Sequence, residues 1–146
     1  MAWTTEHTEY TSASPQRIWE LWSDVSTWPL WDEGLERVTL DGPFAAGTKG
    51  RLKPAGGPAV GLELTDVRPG AGFSDVTRLP LARMRFEHSA VRDGERTRVT
   101  HRVTITGPGT PLFSRLIGRG IANDLPQTIG TLARMAAERD AVPTPG

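Results

Sequence analysis

Two of the chain's three histidines, His88 and His101, stand in successive strand-like runs, ARMRFEHSAV and RTRVTHRVTIT. A histidine among apolar groups can give or take a proton near neutrality, which suits aldol cyclisation, dehydration or recognition of a ligand hydroxyl or carbonyl. Burial would lower its pKa and keep it neutral, fit to act as a base or a hydrogen-bond partner. The plainer alternative is a core histidine satisfied by a nearby hydroxyl or carboxylate, with no substrate involved.

The faces of these runs follow from the turn between them. Asp93-Gly94 is a strong two-residue hairpin signal, so Arg92 is expected opposite Glu95, Phe86 opposite His101, His88 opposite Val99 and Met84 opposite Val103. Alternation then puts Met84, Phe86, His88 and Ala90 on one face with Thr97, Val99, His101, Val103 and Ile105. The two histidines become diagonal neighbours, with backbones about 7–8 Å apart, on an inward face.

Asp75, in FSDVTRL, is the candidate orienting group. A two-residue turn at Pro80-Leu81 sets it opposite Phe86, on the cavity face with Phe73 and Thr77; a loop one residue longer or shorter would reverse it. Two histidines and an aspartate resemble a three-ligand zinc or iron set. No metal is expected, because HxH and HExxH spacings are lacking and His7 is assigned to a distant strand. No cofactor is expected either.

The other sheet face is rich in arginine. Arg85 is expected opposite Arg102, with Arg83 and Arg98 nearby and Glu87 diagonal, an unfavourable like-charge pairing unless carboxylates or solvent relieve it. Such a face is either a patch for an anion, RNA or an acidic partner, or an ordinary solvated surface.

Four of five tryptophans fall between Trp19 and Trp31. Ile18, Trp22 and Val25 make a helical stripe, so Trp22 is core and Trp19 its edge. Trp28 and Trp31 follow on irregular chain around Pro29, where large rings need a neighbour to cover. Packing or lining one end of a cavity are both open to them.

The elements that must hold these residues can be outlined. A polar strand over 3–12 precedes a helix capped by Ser14 with Pro15 at its first position, then a short turn that Ser26 would cap. Runs LERVTL, TKGRLK, AVGLELTDV, FSDVTRL, ARMRFEHSAV and RTRVTHRVTIT read as antiparallel strands. Thr110 is expected to cap a long terminal helix that Pro111 begins and that Gly118, Gly120 and Pro126 weaken or bend. Strands in succession with helices set apart imply an α+β domain spanning 1–140, with a loose tail at 141–146.

Seventeen basic and seventeen acidic residues balance, so no global field draws the chain to nucleic acid or an anionic bilayer. The absence of cysteine excludes disulfides and thiolate chemistry. MAWTTEHTEY is too polar for a signal peptide, and no run reaches the ~18 apolar residues of a membrane span. A cytoplasmic protein, monomer or homodimer, is the expectation.

SPQRIWELWSDVSTWPLW, FEHSAVRDGERTRVTHRVTITGP and LIGRGIANDLPQTIGTLARMAAE, in that order, resemble the START-like superfamily, in its polyketide cyclase/dehydrase and lipid-transport branch. The resemblance implies a helix-grip fold: a curved antiparallel sheet wrapped around a long C-terminal helix, two short helices after the first strand, and an elongated cavity between. It implies apolar ligands such as polyketides, lipids, sterols or quinones, and no single reaction. The expected function is binding of a small hydrophobic or aromatic molecule, with His88 and His101 as catalytic candidates for cyclisation or dehydration. Trp28, Trp31, Phe73, Asp75, Met84, Phe86 and Val99 are the expected ligand contacts. A non-catalytic carrier or sensor, or an interaction module using the arginine face, are the alternatives.

Overall fold

The structure, a computed structural model, describes residues 2–141. Seven strands form one antiparallel sheet in the order β1-β7-β6-β5-β4-β3-β2. They are β1 (Ala2–Thr11), β2 (Leu35–Leu40), β3 (Lys49–Pro54), β4 (Val60–Arg68), β5 (Gly72–Leu79), β6 (Ala82–Asp93) and β7 (Arg96–Thr106). Helices α1 (Pro15–Ser23) and α2 (Trp28–Trp31) follow β1, and α3 (Thr110–Phe113) leads into α4 (Arg119–Ala141). This is the helix-grip arrangement. The loose tail expected at 141–146 lies, beyond Ala141, outside the described residues.

Local chemistry accounts for the helix ends. Ser14 accepts from the Arg17 N–H and Pro15 opens α1, as its sequence demands. After α1, Asp24 rather than Ser26 caps the 3₁₀ turn Val25–Thr27, its carboxylate accepting from the Ser26 N–H. At the far end Gly109 precedes α3 while Thr110 is already helical, its hydroxyl donating to the Gly107 carbonyl at 2.7 Å. A π-helical turn at Ser114–Gly118 then joins α3 to α4. Gly118 sits against Trp3, where an added Cβ would stand 2.9 Å from the indole.

The β6–β7 register differs from expectation by one pair. Gly94 and Glu95 centre the turn, Gly94 at φ +65°, and Asp93 pairs with Arg96. An Asp-Gly centre would need positive φ at both residues, whereas a turn with glycine first needs it at one, so Asp93 stays in the strand. Face membership survives, but His88 is now directly opposite His101 and Phe86 opposite Val103. On the outer face Arg102 meets Glu87 instead of Arg85, and ion pairs with Glu6 at 2.9 Å.

At the β5–β6 hairpin, Pro80 and Leu81 centre the turn, with Leu81 at φ +61° and its carbonyl accepting from the Gly109 N–H at 2.7 Å. Asp75 therefore lies opposite Phe86 and faces inward, as the two-residue turn requires. Strand β1 is β7's other neighbour, and it places His7 opposite His101; assigning His7 to a distant strand was wrong. Helix α4 covers the inner face over β1 and α1, tied down where the Thr11 hydroxyl donates to the Ala133 carbonyl at 2.9 Å.

Candidate functional site

Cross-strand pairing sorts the inner face into rows. One row runs Val67, Phe73, His88, His101, His7 from β4 to β1; the next runs Leu64, Asp75, Phe86, Val103, Thr5; a third runs Leu62, Thr77, Met84, Ile105, Trp3. All three histidines thus share a line across the sheet. Strand β5 contributes Phe73, Asp75 and Thr77 in turn, so two polar groups stand between Leu62 and Leu64 on one side and Met84 and Phe86 on the other.

The apolar interior is divided along that seam. One cluster gathers Ile18, Trp22, Trp28, Trp31, Leu62, Leu64, Phe73, Val99 and the inner residues of α4; the other holds Met84, Val103 and Ile105. Ile121 of α4, half-buried, packs on both. Phe86, Ile117 and Phe113 are half-buried around the second cluster.

Aromatic packing fills the space around the histidines. His88 lies flat on Phe73, ring centroids 3.9 Å apart and 6° from parallel, and meets His101 edge-on at 4.5 Å. Trp22 stands 5.8 Å from both imidazoles. Trp28 leans on Phe73 at 5.8 Å and Trp31 on His101 at 6.0 Å. With exposures of 4% and 3%, both tryptophans belong to the ring cluster itself. Each has its own anchor: the Trp28 indole N–H donates to the Trp22 carbonyl at 2.9 Å, and that of Trp31 to the Thr27 hydroxyl at 3.3 Å. Val99 is fully buried and Met84 nearly so.

Polar satisfaction is incomplete here. His88 Nδ1 lies 3.2 Å from the Phe73 carbonyl, so that nitrogen donates and Nε2 of the neutral ring is left as an acceptor. His101 Nε2 and Trp22 Nε1 are buried without a hydrogen-bond partner among the described residues. Asp75, 4% exposed, has a carboxyl group that makes no hydrogen bond among the described residues.

Desolvation sets the charges. It pushes Asp75 up to about 7. It pulls His88 down to about 3, opposed by the bond to Phe73, and pulls His101 well below the ordinary imidazole value, reinforced by His88 and His7. At neutral pH both imidazoles are therefore uncharged, and the group poised to exchange a proton is the aspartate. No group of three metal-ligating side chains occurs among the described residues. No described helix is long and apolar enough to cross a membrane.

The expected residues divide by place. His88, His101, Phe73, Trp28, Trp31 and Val99 meet in the ring cluster, whereas Asp75, Phe86 and Met84 lie along the seam. Trp22 is core, as its i, i+4 stripe predicts, and within that core it stands against both imidazoles. Thr77 lies on the inner face as expected and borders Asp75, and Ile121 joins the site from α4. Thr77 was legible as Asp75's same-face neighbour, two residues on.

The family described as polyketide cyclase / dehydrase and lipid transport matches residues 2–137. No curated protein gives a significant match. Among solved structures, the ZhuI aromatase/cyclase from Streptomyces sp. R1128 is similar at TM-score 0.77 and 17% identity, over 97% of this chain and 98% of that one. Protein MLL2253 from Mesorhizobium loti gives 0.73 and 19%, over 96% and 100%. Norcoclaurine synthase from Thalictrum flavum, in complex with dopamine and hydroxybenzaldehyde, gives 0.72 and 14%, over 97% and 90%.

Proposed function

Because the chain belongs to the polyketide cyclase/dehydrase and lipid-transport family, we infer that its inner sheet face binds a small, largely apolar ring molecule that carries a hydroxyl or carbonyl. The ligand lies along the seam between the two apolar clusters, over Phe86 and Met84 and under α4. Asp75 supplies its polar handle. The observation that carries this reading is the Asp75 carboxyl: buried, inward, and without a hydrogen bond among the described residues. The carboxyl keeps a little accessible surface, through which a ligand hydroxyl or carbonyl can supply the missing partner.

Held near pKa 7, Asp75 can donate to a carbonyl as the acid or accept from a hydroxyl as the carboxylate. In the catalytic form of the reading it carries the proton of an aldol cyclisation or dehydration. His88 and His101 then stay neutral and hold the ligand by hydrogen bonds, with Trp28 and Trp31 closing the ring-filled end. The related norcoclaurine synthase, solved with dopamine and hydroxybenzaldehyde, offers a precedent for aromatic ligands on this fold.

Titration with 2-naphthol and naphthalene, followed by tryptophan fluorescence, tests the binding claim. Asp75→Asn is expected to weaken 2-naphthol about tenfold and leave naphthalene unchanged. Equal affinity for the two compounds in the native chain would overturn it. For the reaction, turnover of a poly-β-ketone that collapses in His88→Gln and His101→Gln with binding retained would give the histidines the catalytic role instead. Native mass spectrometry of protein from its own source would identify a retained molecule.

A further inference from the structure

The outer sheet face holds a concave site. A cleft of ≈ 460 Å³ is lined by Lys49, Gly61, Glu63, Val76, Arg78 and Arg83, among others, on β3 to β6. Its shape follows from one missing side chain. Arg51 pairs with Gly61 and Arg78 with Arg83, and the Leu62–Thr77 pair beside them brings the two couples into line. Glycine thus stands where a side chain would otherwise separate Arg51 from Arg78, and an added Cβ there would meet nothing within 4 Å.

The charges are lopsided. Arg78 and Arg83 are direct cross-strand partners, an arrangement that disfavours the sheet unless a negative group intervenes. Among the described residues no carboxylate ion pairs with Arg78, Arg83, Arg51 or Lys49, and Glu63 is the one acid in the cleft. Elsewhere on this face Arg102 pairs with Glu6 and Glu87 and Arg85 with Glu87 at 3.7 Å, while Arg98 on β7 has no carboxylate partner among the described residues.

We propose that this cleft is an anion site, which receives the phosphate or sulfate end of a small organic molecule between Arg78, Arg83 and Lys49. Planar guanidinium groups present paired donors that match such oxyanions, and an oxyanion between Arg78 and Arg83 removes their repulsion. Val76 gives the organic portion an apolar surface. Nucleic acid is disfavoured, because the lining has no aromatic ring for base stacking and the chain's formal charge is zero. The volume falls within the usual small-ligand range of roughly 300–1,000 Å³. The site lies on the opposite face from Asp75 and stands or falls independently of the inner one.

Calorimetric titration at low salt with phenyl phosphate, phenyl sulfate and inorganic phosphate tests the assignment. Arg78→Gln/Arg83→Gln is expected to weaken phenyl phosphate by about tenfold or more, and Arg98→Gln on β7 to leave it unchanged. Gly61→Val keeps every charge, suits a strand and fills the notch, so it should also weaken binding about tenfold. Saturable binding that survives both variants, or none at millimolar concentration in the native chain, would overturn the site. Inorganic phosphate binding as tightly as the phenyl esters would overturn the organic part of the ligand and assign the cleft to the free ion.

Discussion

His88 and His101 face each other across β6 and β7, their ring centroids 4.5 Å apart, and the same row continues to Phe73 on one side and His7 on the other. Two imidazoles at that spacing and depth cannot both be charged. Burial keeps them neutral, so the inner face carries its acid–base capacity on Asp75, one row away.

Opposite pH slopes should therefore cancel in the native chain. Asp75 binds its proton more tightly when folded, at about 7 against an ordinary aspartate value of 3.8, so unfolding releases a proton in that window and stability falls as pH rises through it. Three units correspond to at most about 4 kcal/mol. Asp32, raised to about 6 by burial, adds a smaller slope of the same sign. Asp75→Asn should match the native chain near pH 4 and exceed it at pH 8, read as urea midpoints. Parallel profiles would count against a buried, unpaired carboxyl.

The histidines act in the other direction. His88 falls to about 3 and His101 well below 6.5, so the unfolded chain binds more protons and stability is lost as pH drops below about 6.5. His101→Leu removes both that penalty and the unpaired Nε2, and is expected to gain about 1–3 kcal/mol at pH 5. The variant should show a steeper decline with rising pH, since only His88 is left to oppose the aspartate slopes. A loss of stability at pH 5 would mean that His101 has a partner in solution.

Trp28→Phe keeps an aromatic ring against Phe73 but deletes the donor to the Trp22 carbonyl. Chemical denaturation should show a loss of about 1–3 kcal/mol. An unchanged midpoint would mean that the indole is not anchored in the free protein, as expected of a side chain that waits for ligand.

Two glycines near the start of α4 should respond oppositely to alanine. At Gly118 a Cβ meets Trp3 at 2.9 Å, so Gly118→Ala should destabilise by about 1–3 kcal/mol, and Trp3→Leu in the same chain should restore part of it. At Gly120 nothing lies within 4 Å, and alanine should stabilise by up to about 1 kcal/mol through helix propensity. Thermal melts of the three variants distinguish steric from propensity effects.

How far the fold could be read in advance varied with the strength of the local signal. LERVTL and RTRVTHRVTIT become strands with those bounds, and Ser14-Pro15 opens α1, because alternation, turn residues and a cap act over a few residues. Face membership of His88, His101, Asp75 and Phe86 was legible for the same reason. Their pairing was not: whether Asp93-Gly94 or Gly94-Glu95 centres the turn rests on one φ angle, which moved His88 from Val99 to His101. Harder still was His7, whose place beside His101 depends on the partner strand that β1 selects more than ninety residues away in sequence.

That distant partnership bears on how the molecule is made. Strand β1 is made well before its partners, since Ala2 pairs with Thr106 and Thr11 bonds to Ala133, so it gains its sheet neighbour only when β7 has emerged and its helical cover only when α4 has. Closure of such long loops comes late and slowly. Until then the nascent chain carries an unpaired edge and a bare apolar sheet, and chaperone demand during synthesis should be concentrated on that interval.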